Sequence, residues 1–550
     1  MVISRTYFDL KKLKNLADWK LLLFLVLFLD VKLEIKTIAV VGAYLLQFNF
    51  KFGFSLKNSR LPLFYLAAIG ISLINWVFSN NVGDFNYILV LLTGIGFWML
   101  CILAMHQIKL SVENNDAETI NNTIVIFFLL NAVMSLINLA TIIAETGYLN
   151  PYNYQGQHQK YFIGTGDYIR GLSFDTSTTN AVLNAFGVVY FLKKKNAAML
   201  IVCMAVMLFT GSNFIDIVLL LILAGLFLFK TDRVQKSLVV VCVMFGIVFM
   251  TRISMQNYIY VHETIKNTFF PQPIHPTALV KVKPYITLRP DSELTADERK
   301  EKVARGWLDS VYMVANPKYD PFKSDWPLKT ATGRIFMPNV NIQSKPYQHI
   351  KDTTAYQRQL LGFIGTHKAN LPMSGKDNYK TETHGKAIGL MQTLHFFQHY
   401  PLKILTGDGV GNFSSKLAFR AGGFNFAGGY PRQFTYVSPD FLSNHLDIYL
   451  DFFSKKSDYH SLTNNPGSVY DQLLAEYGLL GVAAFVLWYL GYFLKHYRKL
   501  TYGLPILVLL LSVFAIDYWF EQLSILLFFE LLMLLNIKEN SAKTSPAYAN

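Results

Sequence analysis

KKKNAAMLIVCMAVMLFTGSNFIDIVLLLILAGLFLFKTDRVQK, residues 193–236, decides the fold class. It contains two apolar runs, 197–211 and 213–229. Each approaches the roughly 17–25 apolar residues that cross a bilayer as a helix. Lys193, Lys194 and Lys195 stand before the first run, and Lys230, Arg233 and Lys236 bound the second. The turn around 212 holds no Lys or Arg. Positive charge at both open ends of a hairpin, and none at its tip, predicts two spans that leave the cytoplasmic side and return to it.

The same reading extends outward. Apolar runs at 61–80, 86–106, 123–146, 236–253, 472–494, 502–516 and 518–536 qualify as spans, and 174–192 is a weaker one. The first block, 20–50, is broken by Asp30, Lys32, Glu34 and Lys36. It reads as two short helices, about 20–31 and 37–50, joined by a charged hairpin. No small-residue cleavage site follows the first run, so it does not read as a signal peptide. The expectation is an all-α polytopic membrane protein with about twelve transmembrane helices. Composition agrees: 52% of residues are hydrophobic and 16% charged, against about 25% charged in a soluble domain. That excludes an ordinary cytosolic enzyme, a disordered chain and a secreted disulfide scaffold. The three cysteines, Cys101, Cys203 and Cys242, lie in apolar runs and predict neither disulfides nor a zinc site.

Lys and Arg orient the bundle with both termini inside. The inside segments are 1–19, 51–60, 107–122, 193–196, 230–236, 495–501 and the tail 537–550. The short outside turns at 81–85, around 212 and around 517 hold no Lys or Arg. The net charge of +14 is therefore mainly a topology signal and does not point to nucleic acid. Only the hairpin with Lys32 and Lys36 breaks the alternation. Two outside segments are long, 147–173 and about 254–471. The second is polar and too long for a bare loop. The expected organisation is a membrane bundle over 1–253, a periplasmic domain over 254–471, membrane helices over 472–536 and a cytoplasmic tail over 537–550. Within the periplasmic domain, 384–400 places Ile388, Met391, Leu394 and Phe397 at helical spacing. That predicts an amphipathic helix lying on the membrane or on the bundle.

Three stretches carry more than topology. YIRGLSFDTSTTN, 168–180, sets Arg170 before a Ser/Thr-rich helix start. A guanidinium beside free helix N–H groups suits an anion. The plainer alternative makes Arg170 an interface anchor and Asp175 or Ser173 an N-cap. PLKILTGDGVGNF, 401–413, places Gly407, Gly409 and Gly411 in a tight turn. It has no βαβ context and is not a dinucleotide fingerprint. HSLTNNPGSVYDQLLAEYGLLG, 460–481, brings Asp471 and Glu476 into an apolar span, where ionisable groups are costly. Otherwise the ionisable residues read as loop residues. His384, His445 and His460 are each a possible base or phosphate contact, or simply polar surface. Neither a metal motif nor a Walker A loop occurs, so no cofactor or metal is expected.

Together these stretches resemble the O-antigen ligase/polymerase superfamily of bacterial inner-membrane glycosyltransferases. GDGVGNF after Tyr400-Pro401-Leu402 resembles that family's HPLLGVGPGNF. QLLAEYGLLG resembles LQLLAELGLLG, and IRGLSFDTSTTN resembles R-x-G-x-F-x-D-P-N. The likeness covers about 160–230 and 384–495. It implies a donor glycan on undecaprenyl diphosphate, transferred without metal or nucleotide to a lipid or glycan acceptor at the periplasmic face. In that reading Arg170, Lys386, Arg420 and Arg432 hold the diphosphate, and His460 or His445 is the base. The chain also departs from the pattern. Ser212–Asn213 stands for the family's S-R, Pro466-Gly467-Ser468 for its P-H-N, and Lys386 for an Arg.

The resemblance favours a ligase, with a polymerase of the same superfamily as the alternative. The other readings are a transporter for lipid-linked sugars and a degenerate scaffold. Transporters usually show repeated halves and charges deep in several helices, which this sequence does not announce.

Overall fold

The computed structural model describes residues 16–47, 61–79, 81–153, 165–229, 231–254, 289–294, 299, 302, 385–422, 429–446, 448 and 465–544. Its main helices are α1 Trp19–Leu29, α2 Leu33–Gln47, α3 Phe64–Val77, α4 Phe85–Asn114, α5 Ala117–Thr146, α6 Ser177–Lys194 and α7 Ala197–Phe209. They continue with α8 Asn213–Phe229, α9 Arg233–Ile253, α10 Gly385–His399, α11 Val469–Leu494, α12 Gly503–Val513 and α13 Ser524–Thr544. No strand occurs among the described residues, and the fold is all-α. Each apolar run in the sequence is a helix. The last is split, because Leu523 (φ 66°) separates the short helix Trp519–Gln522 from α13.

Polar residues at the run edges set the helix starts. Asp18, Asp84, Asp116 and Asn196 cap α1, α4, α5 and α7 with their side chains. Asp232 and Gln235 form a reciprocal capping box at α9. At α6 the cap is Thr176, whose side chain accepts from Thr179 N–H, and not Asp175 or Ser173. Asp175 instead accepts from the Thr179 hydroxyl at 3.0 Å.

Among the described residues four helices, α4, α5, α9 and α11, are long and apolar enough to cross a membrane, and five shorter apolar helices accompany them. α13 is the axis of the assembly. It packs on α1, α4, α5, α6 and α12. Ile525, Phe528, Phe529, Leu531, Leu532 and Met533 are fully buried, so the helix is covered all round. The outer helices do the reverse. Leu221, Leu228 and Phe229 on α8, and Val240, Met244 and Ile247 on α9, are exposed. Continuous apolar stripes of this kind fit a lipid-facing surface, and the chain reads as a membrane protein.

Two expectations need correction. α10 is apolar on two faces. Ile388, Phe396 and Phe397 are buried, while Met391 and Leu394 point outward. The buried face packs on α11 and on the short helix Pro439–Asn444. Nor are ionisable groups confined to loops, since Lys36, Asp216 and Glu530 are buried within helices. Glu530 accepts from the Tyr65 hydroxyl and from the Tyr489 hydroxyl at 3.2 Å. Lys36 donates to Phe28 O at 2.6 Å and to Ser524 Oγ at 2.8 Å. Most of the expected periplasmic domain lies outside the described residues. Its described parts include α10, short helices at Lys403–Thr406, Lys416–Ala421 and Pro439–Asn444, the turn Asp291–Glu293 and the start of α11.

Candidate functional site

The glycine turn and α11 meet through their backbones. α11 is interrupted at Gly478 (φ 65°, ψ −165°). The break deprives the Ala475 and Glu476 carbonyls of helical donors. Asp408 N–H and Gly409 N–H replace them at 2.9 and 3.0 Å. Contact is so close that a β-carbon at Gly407 would lie 2.3 Å from the Glu476 carbonyl carbon. One at Gly478 would lie 2.5 Å from Gly407 N. Asn75 of α3 clamps the joint, donating to Thr406 O at 2.6 Å and to Glu476 O at 3.4 Å. Both glycines are thus required twice, by positive φ and by space.

Carboxylates on α11 secure the other side. Asp471 is buried and accepts from Thr393 Oγ1 of α10 at 2.7 Å and from Ser414 Oγ at 2.6 Å. Ser414 Oγ also lies 3.2 Å from the Tyr518 hydroxyl. Glu476 is fully buried, and its Oε1 accepts from Phe413 N–H at 3.3 Å. One α11 turn thereby gathers α10, the glycine turn and the 517–522 segment.

Cations rim this junction. Lys386, at the start of α10, donates to Gly467 O and, at 3.2 Å, to Ile516 O. Burial lowers its pKa to about 8, and Asp517 and Asp471 act against that shift. Gln472 Nε2 donates to Glu521 Oε1 at 2.5 Å. Arg420 and Lys416 lie within electrostatic reach of Glu521. Lys403 pairs with Asp408, and with Asp440 at 3.5 Å. Burial, then Asp440, pushes the Asp408 carboxyl well above the usual carboxylate range despite Lys403.

Arg170 sits at a second locus, at the start of α6. Asn138 Oδ1 accepts from Arg170 N–H at 3.2 Å and from Gly171 N–H at 3.1 Å. Asn180 Nδ2 donates to Ile169 O at 2.9 Å. Amides of α5 and α6 therefore hold the backbone, and the half-buried guanidinium lies over the Tyr168 ring at 5.2 Å. Among the described residues its Nε has no hydrogen-bond partner. Burial raises the neighbouring Asp167 to about 6, opposed by Ser177 and Arg170. Among the described residues no hydrogen bond or ion pair joins Arg170 to Lys386 or Arg420.

The histidines divide. His445 is fully buried against Phe413, ring centroids 4.7 Å apart. Among the described residues neither ring nitrogen has a hydrogen-bond partner. Burial lowers its pKa to about 4, with Asp471 opposing, so the ring is neutral near pH 7. His384 and His460 lie outside the described residues, and so does the side chain of Arg432, whose backbone opens the turn Arg432–Phe434. Reading the sequence missed Ser414, Lys416, Gln472 and Glu521. Glu521 carried the same signal as Glu476, an ionisable group in an apolar run. Comparison with protein-family models, curated proteins and solved structures finds no match for this chain.

Proposed function

We propose that this protein is a glycosyltransferase of the bacterial inner membrane, resembling the O-antigen ligases. It crosses the membrane about twelve times, with both termini cytoplasmic and the 254–471 segment on the periplasmic face. An acceptor hydroxyl attacks the anomeric carbon of a glycan carried on undecaprenyl diphosphate. The carbon–oxygen bond to the diphosphate breaks, the polyprenyl diphosphate leaves, and a base takes the hydroxyl proton. Lys386, Arg420 and Arg432 neutralise the charge that develops on the leaving group, and Arg170, at its own locus, is a separate donor contact. His460 or His445 takes the proton. One observation carries the reading: the glycine turn interlocks with the broken α11, where Asp471 lies within the field of Lys386, and Glu521, bonded to Gln472 of α11, lies within that of Arg420. Discontinuous helices inside a membrane protein mark polar ligand sites.

A specific observation favours the second reading, transport of lipid-linked sugars. Lys36, Asp216 and Glu530 are buried within the helices, as pathway residues often are.

Incubating the purified protein with undecaprenyl-diphosphate-linked glycan and candidate acceptors separates the two. Transfer releases free undecaprenyl diphosphate, and Arg420→Ala slows that release by about 100-fold. Donor that stays intact while crossing a vesicle wall in the protein's presence overturns the transferase in favour of the transporter. A polymerase differs from a ligase in lengthening the glycan on the carrier itself.

A further inference from the structure

The start of α8 holds buried oxygens that their surroundings leave unsatisfied. α7 ends at Phe209, and the chain turns through Thr210 and Gly211 (φ 65°) into α8. Ser212 and Asp216 are four residues apart and share a helix face. Asp216 is 3% exposed and Ser212 9% exposed. Among the described residues, no hydrogen-bond partner reaches either Asp216 carboxylate oxygen, Ser212 Oγ or Asn213 Oδ1. Ser212 thus forgoes the capping bond that a serine at this position normally makes. The Tyr152 hydroxyl lies within the field of Asp216 and donates to Phe209 O at 2.5 Å. The turn Thr165–Tyr168 packs against the backbone of the α7–α8 turn: a β-carbon at Gly166 would lie 2.3 Å from Thr210 O.

A buried carboxylate without partners is costly, and burial without compensation does not persist. The dipole of α8 favours a negative charge here. It does not satisfy the lone pairs, because no N–H reaches either oxygen. A proton on Asp216 would remove the charge and supply a single donor, too few for Ser212 Oγ, Asn213 Oδ1 and the remaining Asp216 oxygen together. The oxygens ask for a hard cation. Among the described residues, no three His, Cys, Asp or Glu side chains gather as a divalent or transition metal would require. A single carboxylate with neutral oxygens balances one positive charge.

We propose that Ser212, Asn213 and Asp216 bind a small monovalent cation of the sodium class, which fastens the α7–α8 turn. The site is independent of the glycosyl-transfer reading and would serve a transporter equally. The experiment measures Tm of the full-length protein in detergent, in NaCl, KCl or choline chloride at equal ionic strength. Sodium raises Tm of the wild type above both other salts, and Asp216→Asn gives the same Tm in all three. Ser212→Ala keeps the charge and raises the sodium concentration needed by about 10-fold, which keeps the test usable if Asp216→Asn does not fold. A wild type indifferent to the cation overturns the proposal. So does sodium dependence that persists in Asp216→Asn, or a Tm that follows pH and not sodium, which would make Asp216 a proton site only.

Discussion

Gly407 and Gly478 are the residues at which the two motifs become one structure. Both have positive φ and both face backbone within 2.5 Å of where a β-carbon would sit. Gly407→Ala or Gly478→Ala should each cost about 2–5 kcal/mol, combining left-handed strain with overpacking. Thermal unfolding in detergent measures it. Gly42→Ala, where a β-carbon meets open space, is the control. His445 carries a pH signature. Its folded pKa is about 4, against 6.5 for the free side chain. The unfolded chain therefore binds the proton more tightly, and stability is lost as pH falls from 6.5 towards 4. The loss over that window is about 3 kcal/mol at most, and His445→Phe should remove it. Asp167, raised to about 6, acts in the opposite sense, favouring the fold on acidification. It is present in both proteins and cancels in their difference. None of this was legible beforehand. The glycines read as a simple turn, because what lies against them belongs to a distant segment.

The decisive element is α11, a helix broken within the bundle and held from outside itself. Asp471 joins it to α10 through Thr393 and to the glycine turn through Ser414. Hydrogen bonds to a charged group contribute about 1.5–3 kcal/mol each. Thr393→Val and Ser414→Ala should each destabilise by about that amount. In Asp471→Asn the same substitutions should cost less, and a double-mutant cycle on unfolding midpoints measures the coupling. Strict additivity would show that the three elements dock independently of Asp471. At this scale the sequence was informative in part. It signalled Asp471 and Glu476 as misplaced charges, and it located α10. It assigned Met391 and Leu394 to the same face as Ile388, although they point outward. Apolar periodicity cannot separate a lipid-facing side from a protein-facing one, because both want the same residues.

The whole molecule is organised around the buried α13, with lipid-compatible stripes outside. The proposed topology makes a direct prediction. Cys101, Cys203 and Cys242 are free and buried, so they should not react in the folded protein. A cysteine introduced at the exposed Leu402 should label with a membrane-impermeant maleimide added to intact spheroplasts. One introduced at Lys195, in the cluster that pairs with Asp232 at 2.6 Å, should label only after lysis. The opposite pattern would invert the bundle. Labelling of both from outside would break the alternation of Lys and Arg on which the orientation rests.

The sequence by itself determined the all-α class and the position of each apolar helix, while the one cap it suggested, Asp175 or Ser173, fell to Thr176. Class and position follow from local hydropathy. The tertiary structure alone decided that GDGVGNF seats on the break in α11, that Lys386 ties the start of α10 to the 467 and 516 carbonyls, and that among the described residues Asp216 is left without a hydrogen-bond partner. These are meetings between segments distant in the chain. Their energies depend on backbone approach and burial, which no local pattern encodes.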